Sequence, residues 1–294
     1  MIEKENVKLN EKLELHTTFK VGGICKYFIT PKDLEELLDL LKYLKENNIK
    51  YMILGNGSNT IFSSKEFDGV IINLNNLNSM EITDDRIYVE AGYQLIKLSI
   101  DALNNNLSGL EFAAGIPANI GGAIFMNAGA YKSDMSNLIE TVTFIDENLE
   151  LKTLKNEELN FSYRKSLFQE RPEYIIISTV LKLNKGNHDD IKALMDKRKA
   201  RRIESQPLDY PSAGSVFRNP SEEIFAGKLI EDLGLKGYKI GGAEISEKHA
   251  NFIINVGGAT GEDIKALIDL VKLKVKEKYN IDLHVEQRFI NFED

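Results

Sequence analysis

The chain has one cysteine, Cys25, in 294 residues, so no internal disulfide can form. A reducing compartment suits that composition, with Cys25 acting as a small buried hydrophobe. No window approaches the roughly 18 uninterrupted apolar residues of a membrane span. The opening MIEKENVKLNEKLEL is charged throughout and lacks the apolar core of a secretion signal. The expectation is a cytoplasmic protein without membrane insertion. Positive charge is scarce as well: 37 Lys and Arg against 45 Asp and Glu leave a formal net charge of −8. Nucleic-acid binders concentrate basic residues, so this balance argues against a nucleic-acid partner. The one basic cluster, DKRKARR at Asp196–Arg202, falls in a helical pattern and reads as a solvated helix face.

Two common site signatures are missing too. ILGNGSN (Ile53–Asn59) runs from a strand into a glycine turn, but then continues as the irregular polar loop TIFSSKEFDG. A Rossmann fingerprint would pass at once into an apolar helix and carry an acidic residue about twenty positions later. Ser215, in PSAGSVFRNP, has no glycine two residues on and so is not a nucleophile elbow. His16, His188, His249 and His284 stand in unrelated contexts, which makes a Ser/His/Asp hydrolase the poorer reading.

What the chain does have is an α+β succession. PKDLEELLDLLKYLKEN (Pro31–Asn47) spaces its apolar residues helically, with acids early and lysines late. KYMILG (Lys50–Gly55), GVIINL (Gly69–Leu74) and RIYVEAG read as strands, and LIKLSIDALNNN as a second helix. IETVTFIDE, LELKTL and EYIIISTVLKLN are rich in β-branched residues and continue the strand pattern. A long helix runs from Asp190 to about Glu204, after which the helices AGKLIEDLG and TGEDIKALIDLVKLKVKEKYN alternate with the strands NFIINVG and IDLHVEQRFI. The main boundary is placed at Lys185–Asn187. It separates residues 1–187, with subdomains of about 1–78 and 79–187, from residues 188–294.

GIPANIGGAIFMNAGAY (Gly115–Tyr131) contains four glycines and four alanines in seventeen residues. Such a row means that something comes close to the backbone, either a packed element or a ligand. The glycine turn of ILGNGSN is a second close-approach surface, whose amides can converge on a phosphate. Two such stretches, each following a strand, favour a large dinucleotide. Among polar candidates, Arg164 stands between Tyr163 and Lys165 in NFSYRKSLF, and a guanidinium holds a carboxylate through two parallel hydrogen bonds. Ser215 could give a proton rather than attack. In LHVEQRF, His284, Glu286 and Arg288 share one strand face, where a plain surface ion pair is the alternative.

Taken together, TTFKVGG, LGNGSN, GIPANIGGAIFMNAGAY, SYRKS, AGSVFRNP, AGKLIEDLGLKGYKIGGAEIS, HANFIIN and HVEQRFI resemble the UDP-N-acetylenolpyruvoylglucosamine reductase family, flavoenzymes of bacterial cell-wall synthesis. The segments occur in the family's order and span nearly the whole chain. The resemblance implies an FAD-binding domain of the vanillyl-alcohol-oxidase (PCMH) type, made of two α+β subdomains, plus a C-terminal α+β substrate-binding domain. It implies non-covalent FAD lying against Leu54, Gly55, Asn56, Gly57, Ser58 and Asn59, and against Gly115, Pro117, Ala118, Gly121, Gly122, Ala123, Asn127 and Gly129. NADPH would be the hydride donor and the enolpyruvyl group of UDP-N-acetylglucosamine enolpyruvate the acceptor, giving UDP-N-acetylmuramate. Ser215 would protonate the enolate carbon, and Arg164 and Glu286 would stabilise the enolate. No segment matches the tyrosine-bearing insertion of the longer members, so the chain resembles the shorter type. Tyr163, Arg218, Asn219, Lys228 and Arg288 are then the expected substrate contacts, with a monomer as the working state. A flavin-dependent oxidase of the same fold, holding its FAD covalently through His16, is the alternative.

Overall fold

The computed structural model describes residues 6–292. The chain packs as two compact units that interleave in sequence. The first takes the chain up to Leu9, Tyr27–Asn56 and Gly69–Arg201; the second takes Asn10–Lys26, Gly57–Asp68 and the chain from Arg202 onward. These packing units differ from the contiguous parts drawn from the sequence, because two short early segments pack with the C-terminal region and residues 188–201 pack with the first unit.

In the first unit, the helix Leu34–Glu46 forms where the spacing predicts it. Asp33 caps it by accepting from the Glu36 amide at 2.9 Å, and Leu37, Leu40, Leu41 and Leu44 form its buried stripe. The strand Tyr51–Ile53 runs parallel to Phe67–Ile72, with Ile53 opposite Ile72. A five-stranded antiparallel sheet follows, in the order Leu151–Lys155, Ile139–Ile145, Ile175–Lys182, Arg86–Glu90, Met80–Thr83. Its middle strand, IIISTVLK, is almost wholly buried, as its unbroken apolar start requires. The helices Leu95–Asn104 and Ile120–Phe125 contribute Leu95, Leu98, Ile120 and Ile124 to the same core. The helix expected from Asp190 spans His188–Ser205 and buries only Ile191 and Met195.

The second unit is organised by the helix Gly261–Tyr279. Thr260 and Asp263 form a capping box at its start, and Asn280 closes it in the left-handed conformation. Ile264, Leu267, Ile268, Val271 and Val275 share a core with Ala243, Ile245 and Ile253 from a three-stranded sheet, Lys239–Ile240, Ala243–Ile245 and Ile253–Asn255. The segment read as an irregular polar loop contains a strand, Thr60–Phe62, paired in parallel with Arg288–Ile290. Ile61 and Phe62 are fully buried there. Three residues are too few to show an alternation, which is why the pattern missed the strand. The expected strand IDLHVEQRFI is regular only over Arg288–Ile290, with one isolated bridge at Val285.

Candidate active site

In the first unit the two glycine-bearing stretches meet. The Asn56 side chain donates to the Pro117 carbonyl at 2.8 Å, and Asn73 donates to the carbonyls of Leu54 and Gly55. Asn119 is buried; its amide donates to Gly92 O at 2.6 Å and to Asn75 Oδ1 at 3.2 Å. Its Oδ1 is buried with no partner, and a Cβ built on Gly55 would lie 3.3 Å from it. A buried orphan acceptor is costly unless something donates to it.

The glycines of GIPANIGGAIFMNAGAY divide into two kinds. Gly121 donates to Ala91 O at 2.8 Å, and a Cβ there would press on the Ala91 methyl at 3.1 Å; Gly129 lies against Ser133 and Asp134 in a tight hairpin. Those two serve packing. Gly122 is exposed, and a Cβ on it would meet nothing within 4 Å, so its smallness serves no neighbour in the chain. An acceptor without an internal partner beside Gly55 and an open face at Gly122 each fit FAD, whose ring imide, ribityl hydroxyls and adenine amine are donors. Gly115, Ala118 and Ala123 lie on the same run, Ala123 within the core.

Asn127 was expected at the cofactor through its side chain, but that side chain is engaged within the chain. Its Nδ2 donates to Ser162 O at 3.0 Å and its Oδ1 accepts from the Ser136 amide at 3.0 Å. It thereby holds the turn that carries Arg164. The turn is closed by reciprocal bonds between Ser162 and Lys165, and Gln169 donates to Arg164 O at 3.0 Å. Arg164 adopts a left-handed φ of 57°, donates from Nη2 to Gly129 O at 2.8 Å and lies over the exposed Tyr163 ring at 5.4 Å. A non-glycine residue in that region stores strain of about 1 kcal/mol or more, a common mark of a functional position.

The second unit brings Ser215 and Glu286 onto facing segments. Phe217 and Val285 form an antiparallel bridge, the Glu286 amide donates to Val216 O at 2.8 Å, and Arg218 N donates to His284 O at 3.0 Å. Asn59 closes the other side of Glu286. Its Nδ2 donates to Glu286 O at 3.0 Å and its carbonyl accepts from Arg288 N at 2.9 Å. Gly57, with φ of 61°, sits against His16 O and Thr17, where only glycine fits; Ser58 is half-buried beside it.

The remaining expected contacts are unequal. Asn219 Oδ1 accepts from the Ala226 amide at 3.1 Å and so steadies the start of the helix Ala226–Asp232. Lys228 is exposed and paired with Asp232 at 2.6 Å, which raises its pKa. Arg218 is half-buried, and desolvation lowers the pKa of Arg288. His16 Nε2 lies 2.8 Å from Glu11 Oε1. Asn73, Asn119 and Gln169 carry much of this geometry and stood out little in the sequence, since single amides in mixed contexts give no periodic signal.

Residues 206–290 match the family model for the C-terminal domain of UDP-N-acetylenolpyruvoylglucosamine reductase, and residues 25–155 match an FAD binding domain. The chain is 44% identical over 290 residues to the UDP-N-acetylenolpyruvoylglucosamine reductase of Caldanaerobacter subterraneus subsp. tengcongensis, covering 99% of this chain and 95% of that one. The enzyme of that name from Clostridium novyi strain NT is 45% identical over 293 residues, covering 100% and 95%. The crystal structure of UDP-N-acetylenolpyruvylglucosamine reductase from Thermus caldophilus superposes with a TM-score of 0.81 at 32% identity, covering 96% of this chain and 97% of that one.

Proposed function

The chain belongs to the UDP-N-acetylenolpyruvoylglucosamine reductase family, and from that premise we propose how its residues divide the work. It is an FAD-dependent oxidoreductase with the α+β, PCMH-type flavin fold, and it reduces UDP-N-acetylglucosamine enolpyruvate to UDP-N-acetylmuramate with NADPH as hydride donor. When bound, FAD supplies the two-electron chemistry that carries reducing equivalents from NADPH to the enolpyruvyl double bond.

On this reading, residues 1–187 carry the flavin and residues 188–294 the sugar nucleotide. When bound, the cofactor would be held non-covalently by Leu54–Asn59 and by Gly115–Gly129, with Asn119 Oδ1 as an acceptor and Gly122 as an open backbone face toward it. The enolpyruvyl group is an alkene conjugated with a carboxylate, so reduction builds negative charge toward that carboxylate and leaves the neighbouring carbon needing a proton. Arg164 neutralises the carboxylate as a permanent cation. Glu286 can assist only in its protonated form or through a shared proton, because a bare carboxylate would repel the charge. Ser215 Oγ holds the proton that the carbon takes. Arg218 and Arg288 meet the diphosphate, with Tyr163, Asn219 and Lys228 at its margin. The enzyme works as a monomer in the cytoplasm, and no described helix is long and apolar enough to cross a membrane.

The observation that supports this reading is the bond from the Glu286 amide to Val216 O, which sets Ser215 and Glu286 on adjoining segments. Anaerobic absorbance tests it. The yellow protein should bleach with NADPH and recover with UDP-N-acetylglucosamine enolpyruvate; bleaching without recovery would discard the substrate. Ser215→Ala should keep flavin reduction and slow reoxidation by about 10²-fold or more.

A further inference from the structure

Ser215 lies in a short segment with no regular strand of its own, so whatever fixes its hydroxyl must come from elsewhere. Asn251 acts as a surrogate strand on one side. Its carbonyl accepts from the Val216 amide at 2.9 Å, its Oδ1 accepts from the Phe217 amide at 3.0 Å, and its Nδ2 donates to Phe217 O at 2.8 Å. Its own amide donates to His249 Nδ1 at 3.2 Å, and the residue is 5% exposed. On the opposite side Val216 O receives the Glu286 amide.

Gln287 reaches the residues just before Ser215. Its Nε2 donates to Ala213 O at 3.0 Å and to Gly214 O at 3.5 Å, and the residue is 4% exposed. Those two carbonyls fix which way the amide faces, which leaves Oε1 buried without a partner. The fold thus leaves one buried acceptor without an internal partner while both carbonyls of this turn are gripped. Gly214 has a φ of 73° and open space at its missing Cβ, so between the buried Ala213 and Val216 the turn passes through a residue with no packing of its own, and these amides hold its backbone there.

We propose that Asn251 and Gln287 are positioning residues for Ser215, which they hold from the two flanks so that its Oγ stays aimed for proton transfer. This rests on the assignment of Ser215 as proton donor. An aim lost by about 1 Å costs on the order of 10²-fold in rate without removing any reacting group. Among the described hydrogen bonds neither side-chain amide bonds to the flavin-binding stretches, although the backbone beside Gln287 bonds to Asn59, so flavin reduction is expected to stay at the parent rate when the amides alone are changed.

The test measures both half-reactions anaerobically in Asn251→Ala, Gln287→Leu, Ser215→Ala and the Asn251→Ala/Ser215→Ala double variant, each loaded with FAD. Asn251→Ala and Gln287→Leu should keep the parent rate of bleaching by NADPH, while reoxidation by UDP-N-acetylglucosamine enolpyruvate slows by about 10–100-fold. The double variant should reoxidise as slowly as Ser215→Ala alone, because a positioning group has nothing left to position. Parent-like reoxidation in both single amide variants, equal slowing of both half-reactions, or multiplied losses in the double variant would each overturn the proposal. If Ser215→Ala itself reoxidises at the parent rate, the proton-donor assignment falls first. A slow Ser215→Ala beside normal amide variants overturns the positioning role alone. Should Asn251→Ala fail to fold, Gln287→Leu paired with Ser215→Ala gives the same comparison.

Discussion

Gly122→Ala separates a packing glycine from a ligand-facing one. Gly122 is the third residue of the helix Ile120–Phe125, and a methyl added to it meets nothing within 4 Å. Without ligand, the change replaces the poorest non-proline helix former by the best and should stabilise the apoprotein by about 0.5–1 kcal/mol. If the open face carries the flavin, the same methyl enters a filled contact and costs about 1–3 kcal/mol of binding. That corresponds to a dissociation constant for FAD raised by roughly 5–150-fold. Two assays on one sample decide it: denaturant unfolding of the apoprotein, and FAD titration followed by quenching of flavin fluorescence. A more stable apoprotein with weaker FAD binding is the expected pair. An unchanged FAD affinity would refute the reasoning and place the flavin elsewhere. Gly121→Ala serves as the contrast, since its methyl would press on Ala91 and lower apoprotein stability directly.

Other outcomes follow from the same geometry. Arg288→Glu should raise the substrate KM strongly while flavin reduction by NADPH stays near the parent rate; an unchanged KM would remove Arg288 from the diphosphate site. The pKa of His249 is lowered from its ordinary 6.5, chiefly by burial, and its Nδ1 accepts a hydrogen bond that only the neutral ring can take. The stability it contributes is therefore complete above about pH 6.5, is lost as pH falls from there toward its lower folded-state value, and then levels off. Denaturant midpoints between pH 7.5 and 5 should show this decline in the parent and a shallower one in His249→Gln. Matching slopes would exclude His249 as the source.

Local structure was legible wherever a period had room to repeat. Leu37, Leu40, Leu41 and Leu44 mark their helix over two turns, and Thr260 with Asp263 signals the start of another. Thr60–Phe62 was not legible, because its partner Arg288–Ile290 supplies the reason for its strand conformation. The proposed chemistry-bearing residues Arg164, Ser215 and Glu286 stood in motifs that the sequence shares with the family, yet their supports did not. Asn251 bonds to Phe217 across 34 positions and Asn59 to Glu286 across 227, so no local window contains either relationship. Lys228 shows the converse, a local partner that a sequence window does contain. A lysine expected to meet a diphosphate stands one helical turn from Asp232 and pairs with it, a neighbour visible in AGKLIEDLG.

The parallel pairing of Thr60–Phe62 with Arg288–Ile290 also sets a schedule for synthesis. Ser63 Oγ donates to Asn291 O at 2.7 Å across 228 positions, so the early strand leaves the ribosome long before its partner exists. At typical elongation rates the interval is roughly ten to fifty seconds. Throughout it, Ile61 and Phe62, fully buried in the finished protein, have no strand to pair with. This strand pair is thus incomplete until Arg288–Ile290 has been made, and a nascent chain stalled before Arg288 presents an apolar edge for chaperones to cover or for other chains to capture.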